Sequence, residues 1–218
     1  MYINVNGIKL HYEVYGNGEP LIMLHCNSMS SKIFKKAITI LEKKYKVYAI
    51  DSRSHGKSQK VKILHYEDMA QDVYEFITDL NIENPIVYGF SDGAIIGIYL
   101  ASEHPGLVKT LILSGASLSP DSTKDRAMKF FKLWSHIDRS DKMKIMMREP
   151  DITDEMLKKI DIPCFVTAGS RDLIKEDHTR HLAETLPNSK LKIFDGESHS
   201  SYINRSTKIA EYILDSVN

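Results

Sequence analysis

The chain has 218 residues, 42% of them hydrophobic, with 29 Lys and Arg balanced by 29 Asp and Glu, so one domain with one core is expected and a nucleic-acid partner is not. No run of about 18 apolar residues occurs and the start, Met1-Tyr2-Ile3-Asn4-Val5, has no basic region leading into an apolar stretch, which excludes a spanning helix and predicts a soluble, cytoplasmic protein with no membrane partner. Cys26 and Cys164 sit in apolar contexts without CxxC or Cys/His ligand spacing, so neither a disulfide scaffold nor a metal site is expected.

Met1 to Val5 and Ile8 to Tyr15 flank Asn6-Gly7, a strong hairpin signal, and predict an opening antiparallel pair. Six short, nearly continuous apolar strands follow: Leu21 to His25, Val47 to Asp51, Ile86 to Gly89, Val108 to Ser114, Pro163 to Gly169 and Leu191 to Phe194. Helices are predicted between them. Ser30 to Leu41 is one, and Tyr66 to Leu80 is the clearest, with Met69, Val73, Phe76, Ile77 and Leu80 in one stripe. Asp92 to His104, Lys175 to Leu186 and Tyr202 to Val217 complete the set. The alternation predicts an α/β fold: a mostly parallel eight-stranded sheet with helices on both faces.

The alternation breaks once, over 119–160, where an apolar helical stretch carries Phe130, Phe131, Leu133, Trp134, Met143 and Met146 without a strand signal. Its place beyond the C-terminal strand edge, where open α/β sheets bind ligands, predicts a short helical lid on a core of residues 1–118 and 161–218. Phe131 and Trp134 are candidate substrate contacts. Ordinary helix-to-core packing is the alternative for the apolar residues of this stretch.

Gly89-Phe90-Ser91-Asp92-Gly93 lies between the strand ending near Gly89 and the helix from Asp92. A serine mounted on a sharp strand-to-helix turn needs neighbours without side chains, and glycine two before and two after lets strand and helix approach. The N–H groups at the start of the helix, that of Asp92 among them, favour a developing oxyanion. A serine hydroxyl also needs a base, and the base an orienting group. Asp172 follows the strand ending near Gly169, and His199 follows the strand ending near Phe194. The chain order Ser91, Asp172, His199 is the one that accompanies this elbow. Asp177 reads instead as a first-turn helix carboxylate, and Asp195 lies too near its strand end. His104, His178 and His181 fit helix ends or charged faces.

On these motifs the chain resembles the α/β-hydrolase fold superfamily over essentially its whole length. The resemblance implies an oxyanion loop at Leu24-His25-Cys26-Asn27-Ser28, where Cys26 stands for the family's glycine, and makes the backbone N–H groups of Asn27 and Asp92 the oxyanion donors. Asp51-Ser52-Arg53-Ser54-His55-Gly56 matches a structural loop of the family, with Ser54 for a glycine. Locally, Ser91-Asp92-Gly93 is similar to valacyclovir hydrolase-like enzymes, which implies that the Asp92 side chain binds a cationic substrate group. Helix capping is the other reading of that carboxylate.

The activity implied is cofactor-independent serine hydrolysis of small carboxylic esters, with no metal, by a monomer or homodimer. Carbon–carbon bond, thioester or lactone hydrolysis on the same three residues, and ligand sensing with slow turnover, are the alternatives.

Overall fold

In the computed structural model, which describes residues 1–217, Asn6 and Gly7 both take positive φ (44° and 72°). They turn β1 (Tyr2–Val5) tightly into an antiparallel β2 (Ile8–Tyr15). β3 (Glu19–Leu24), β4 (Tyr45–Asp51), β5 (Ile86–Phe90), β6 (Thr110–Ser114), β7 (Cys164–Arg171) and β8 (Ser189–Ser198) complete one sheet ordered β1-β2-β4-β3-β5-β6-β7-β8. β2 pairs antiparallel with β4, and every pairing beyond it is parallel.

Parallel strands need crossovers, and helices supply them. In chain order these are α1 (Lys35–Leu41), α2 (Tyr66–Asp79), α3 (Asp92–Glu103), α4 (Asp125–Ser135), α5 (Asp141–Arg148), α6 (Asp154–Lys158) and α7 (Glu176–Thr185), and α8 (Lys208–Ser216) follows the last strand. Side chains alternate along β3: Leu21 and Met23 pack with Phe34, Ile38 and Ile213 under α1 and α8, while Ile22 and Leu24 pack with Val73, Ile95 and Leu182 under α2, α3 and α7. Both faces of the strand are thereby buried, which is why it reads as a continuous apolar run. Among the described residues no helix is long and apolar enough to cross a membrane.

Several element boundaries differ from the sequence expectation, three of them as follows. The helix expected from Ser30 begins as a 3-10 turn over Ser31–Phe34. The last helix starts at Lys208, because Tyr202 and Ile203 are both fully buried in a turn and Arg205 takes φ 54°. β8 runs to Ser198 because its pairing with β7 resumes across an irregularity, Gly169 opposite Phe194 and Arg171 opposite Ser198.

The chain runs from β3 to its neighbour β4 on one side and then to β5 on the other, so β3 and β5 diverge at a topological switch point. The tightest backbone packing lies there. A Cβ on Gly93 would stand 2.0 Å from the Leu24 carbonyl oxygen, and one on Gly89 would stand 2.1 Å from the Gly93 carbonyl oxygen. By contrast, a Cβ on Gly97, one turn further along α3, meets a movable methyl group of Leu111 at 3.0 Å. Gly93→Ala is therefore expected to cost more than about 3 kcal/mol or to abolish folding, and Gly97→Ala to cost under about 1.5 kcal/mol. Comparing denaturant midpoints of the two variants checks the contrast.

Candidate active site

At the end of β5 the backbone turns through Ser91, held at φ 54° and ψ −113°. A serine there is strained, and the surrounding bonds keep it so. Its N–H donates to the Ser114 carbonyl at 2.8 Å, while its own carbonyl accepts from Ala94 and Ile95 at 2.9 and 3.1 Å as α3 begins. The hydroxyl does not cap that helix.

Ser91 lines a cavity of about 460 Å³ that His199, Asn27 and Asp92 also border. His199 follows β8 directly, and its Nδ1 pairs with Asp172 Oδ1 at 2.7 Å. Asp172 also accepts from the Ile174 N–H at 3.0 Å. Burial alone would raise its pKa, but the His199 hydrogen bond and charge, together with backbone donors, hold it below the usual carboxylate range. Lying against Phe90, the imidazole also passes Gly115, where a Cβ would come within 2.7 Å of Cε1. The candidate rivals sit elsewhere: Asp177 accepts from the His178 N–H, His181 pairs with Asp154, and His104 stacks on Tyr74.

The loop after β3 is braced by His25, whose Nδ1 donates to the Cys26 carbonyl at 2.7 Å while Nε2 accepts from the Ser52 N–H at 3.0 Å. Ser28 takes φ 58°, so the left-handed residue of this loop is two positions beyond the expected glycine site, and Cys26 is accommodated. The Cys26 thiol borders the cavity, but burial, then the Asp92 charge, push its pKa up to about 12. It is no competing nucleophile at neutral pH. His55 donates from Nδ1 to the Arg53 carbonyl, as a turn residue.

The Asp92 side chain faces Asn27, whose Nδ2 donates to Oδ2 at 2.9 Å and to the Lys142 carbonyl of α5 at 3.0 Å. Tyr66 lies against the same carboxyl. Burial raises the Asp92 pKa to about 6, against the opposing pull of Asn27, Tyr66 and His199. Phe131 and Trp134 border the cavity with Met143 and Met146, while Leu133 and Ile137 from the same stretch face solvent. Tyr66, Glu149 and Gly115 are site neighbours that sequence reasoning missed. Tyr66 opens an apolar helical stripe and reads as core, and no spacing ties Glu149 or Gly115 to Ser91. Among the described residues no group of three or more His, Cys, Asp or Glu side chains is arranged to hold a metal ion.

Residues 19–141 match the family model of the alpha/beta hydrolase fold, and the chain belongs to that family. It is 31% identical over 114 residues to a putative non-heme haloperoxidase of Mycobacterium phage D29, covering 51% of this chain and 41% of that protein. An uncharacterized hydrolase, YugF of Bacillus subtilis, is 24% identical, with 97% and 95% of the two chains covered. The esterase EaEST of Exiguobacterium antarcticum shares the fold with a TM-score of 0.82 at 24% identity, over 99% of this chain and 98% of that one. The chain spans about half the length of most of the curated relatives it matches.

Asp92 generates a pH-dependent expectation. Its pKa in the folded chain, about 6 against an ordinary 3.8, means that folding is disfavoured once the carboxyl ionises. The associated stability is fully present below pH 4 and lost as pH rises through 6. Asp92→Asn keeps an acceptor for Asn27 without the charge. It is expected to stabilise the protein by about 2–3 kcal/mol at pH 8, raising Tm by roughly 4–10 °C, and to leave Tm at pH 4 nearly unchanged. Thermal melts of both proteins at the two pH values measure this.

Proposed function

We propose that this member of the α/β-hydrolase fold family is a cofactor-independent serine hydrolase of small carboxylic esters, in which Ser91, His199 and Asp172 act as nucleophile, base and orienting acid. The observation that carries the reading is the 2.7 Å Asp172–His199 pair opening onto the same cavity as the strained Ser91. Asp172 holds the Nδ1–H tautomer, leaving Nε2 to take the Ser91 proton as Oγ adds to the ester carbonyl. Backbone N–H groups of Asn27 and Asp92 hold the tetrahedral oxyanion. His199 then protonates the departing alcohol, and water repeats the cycle on the acyl-enzyme with release of the acid. This is carboxylesterase chemistry; a lactone or a thioester differs in the leaving group, a tethered alcohol or a thiol, and the carbon–carbon bond of a dienone differs further, because the departing carbon must also take up a proton.

Residues 119–160 act as the lid over a core formed by 1–118 and 161–218. Within it, Phe131 and Trp134 contact the acyl or alcohol group, with Met143 and Met146 adapting to its shape. The residues that line the cavity include Asp92, Asp138 and Glu149 and no Lys or Arg. That balance favours neutral esters, or esters carrying an ammonium group that pairs with Asp92, over anionic ones. The similarity to the Exiguobacterium esterase agrees with ester hydrolysis. A monomer or homodimer in the cytoplasm suits this reading.

Ser91→Ala is expected to lower turnover of p-nitrophenyl butyrate by at least about 10³-fold with an unchanged melting curve, and to abolish labelling by a fluorophosphonate. His199→Ala should do the same, and Asp172→Asn should reduce turnover by about 10⁴-fold. Near wild-type turnover in Ser91→Ala, or fluorophosphonate attachment at another residue, sinks the assignment.

A further inference from the structure

Four of the eight large apolar side chains exposed among the described residues fall within eight positions of α4 and its end: Phe130 at 58%, Leu133 at 68%, Trp134 at 45% and Ile137 at 70%. They are not scattered. Their spacing of three and four places them in one stripe of the helix, and Phe130 stacks on Trp134 along it. No residue of α4 is buried. The helix borders the cavity with Phe130, Phe131 and Trp134 and still leaves much of the stripe from Phe130 to Ile137 in water, an arrangement that marks an interaction surface.

Charge identifies what the surface fits. The chain is neutral overall, yet 124–148 holds eight Lys or Arg against three Asp. Lys124 reaches the Asp172 carbonyl, and Arg148 pairs with Asp141 and Glu149. Arg126, Lys129, Lys132, Arg139 and Lys144 are exposed and, among the described residues, have no ion-pair partner. An exposed apolar stripe with Arg126 in line with it and Lys129 along one edge has the features of a helix lying in the plane of an anionic lipid surface. Such a helix needs no long apolar run, so the lack of a spanning segment does not bear on it. A second copy seated across a two-fold axis would instead bring the same cations together.

We propose that α4 docks this chain on anionic membrane surfaces through Phe130, Leu133, Trp134 and Ile137, with Arg126 and Lys129 meeting the lipid headgroups. Phe130 and Trp134 also border the cavity, so its rim meets the bilayer and apolar molecules can pass between them. The docking is independent of the chemistry assigned to Ser91.

The full chain is sedimented with sucrose-loaded vesicles of phosphatidylcholine, alone or with about 30% phosphatidylglycerol. The expected result is binding at least about tenfold stronger to the anionic vesicles, lost in about 0.5 M salt. Leu133→Ser/Ile137→Ser, which lies outside the cavity lining, should weaken it at least about tenfold with an unchanged melting curve. Arg126→Gln/Lys129→Gln, a second folded variant, should remove much of the salt-sensitive part. Absence of vesicle binding overturns the proposal, as does equal binding to neutral vesicles or full binding by the serine variant. A concentration-dependent dimer that Leu133→Ser/Ile137→Ser dissolves, without vesicle binding, overturns it in favour of a second copy.

Discussion

The structure depends on one place where three backbones meet without side chains between them. The Leu24 carbonyl at the end of β3 lies against Gly93, and the Gly93 carbonyl lies against Gly89 at the end of β5. Because β3 and β5 are neighbours whose crossovers leave in opposite directions, their ends open a crevice, and α3 can enter it only if those two positions lack a Cβ. Once α3 is seated, Ser91 has no relaxed conformation available, and its positive φ follows from the fit. The loop holding Asn27 then continues from β3 beside the first turn of α3.

The same constraint sets what the distant strands must do. In sheet order β6 separates β5 from β7, and β8 lies beyond β7. The His199 ring must therefore extend over the end of β6 to border the cavity that Ser91 lines. Gly115, directly after β6, takes φ 58° and leaves the space through which the ring passes. A side chain there would separate the two groups without touching either strand's core. Ser114, one residue earlier, accepts the Ser91 N–H, so the end of β6 both anchors the turn and clears the way for the imidazole.

The sequence makes legible what rests on local rules. The Asn6-Gly7 turn, the α2 stripe and the glycine spacing around Ser91 each have one physical cause confined to a few residues, and all appear in the fold. Less legible is whatever depends on the register between distant segments. β8 is longer than its apolar core suggests because its last residues pair across an irregularity in β7, and nothing in Asp195-Gly196-Glu197 signals that. Tyr66 reads as the first residue of an apolar helix face, and only packing turns its phenol toward Asp92. Leu133 and Ile137 share the composition of Phe131 and Met143, yet the former pair meets solvent and the latter pair meets the cavity. Hydrophobic pattern identifies a two-faced helix but does not assign its faces.

Charge is sorted in the same region. Asp92, Asp138 and Glu149 are among the residues lining the cavity beneath α4 and α5, with Asp92 raised by burial to about 6. The outer side of the same segment carries exposed cations with no ion-pair partner among the described residues. Asn27 ties this helical layer to the crevice by bonding Asp92 on one side and the Lys142 carbonyl on the other. A change in the position of α5 must break or remake that bond, which alters the hydrogen bonding of Asp92 beside Ser91. A buried carboxylate is costly without such donors. A single asparagine thus couples the segment over the cavity to Asp92 through a pair of hydrogen bonds that apolar packing alone would not provide.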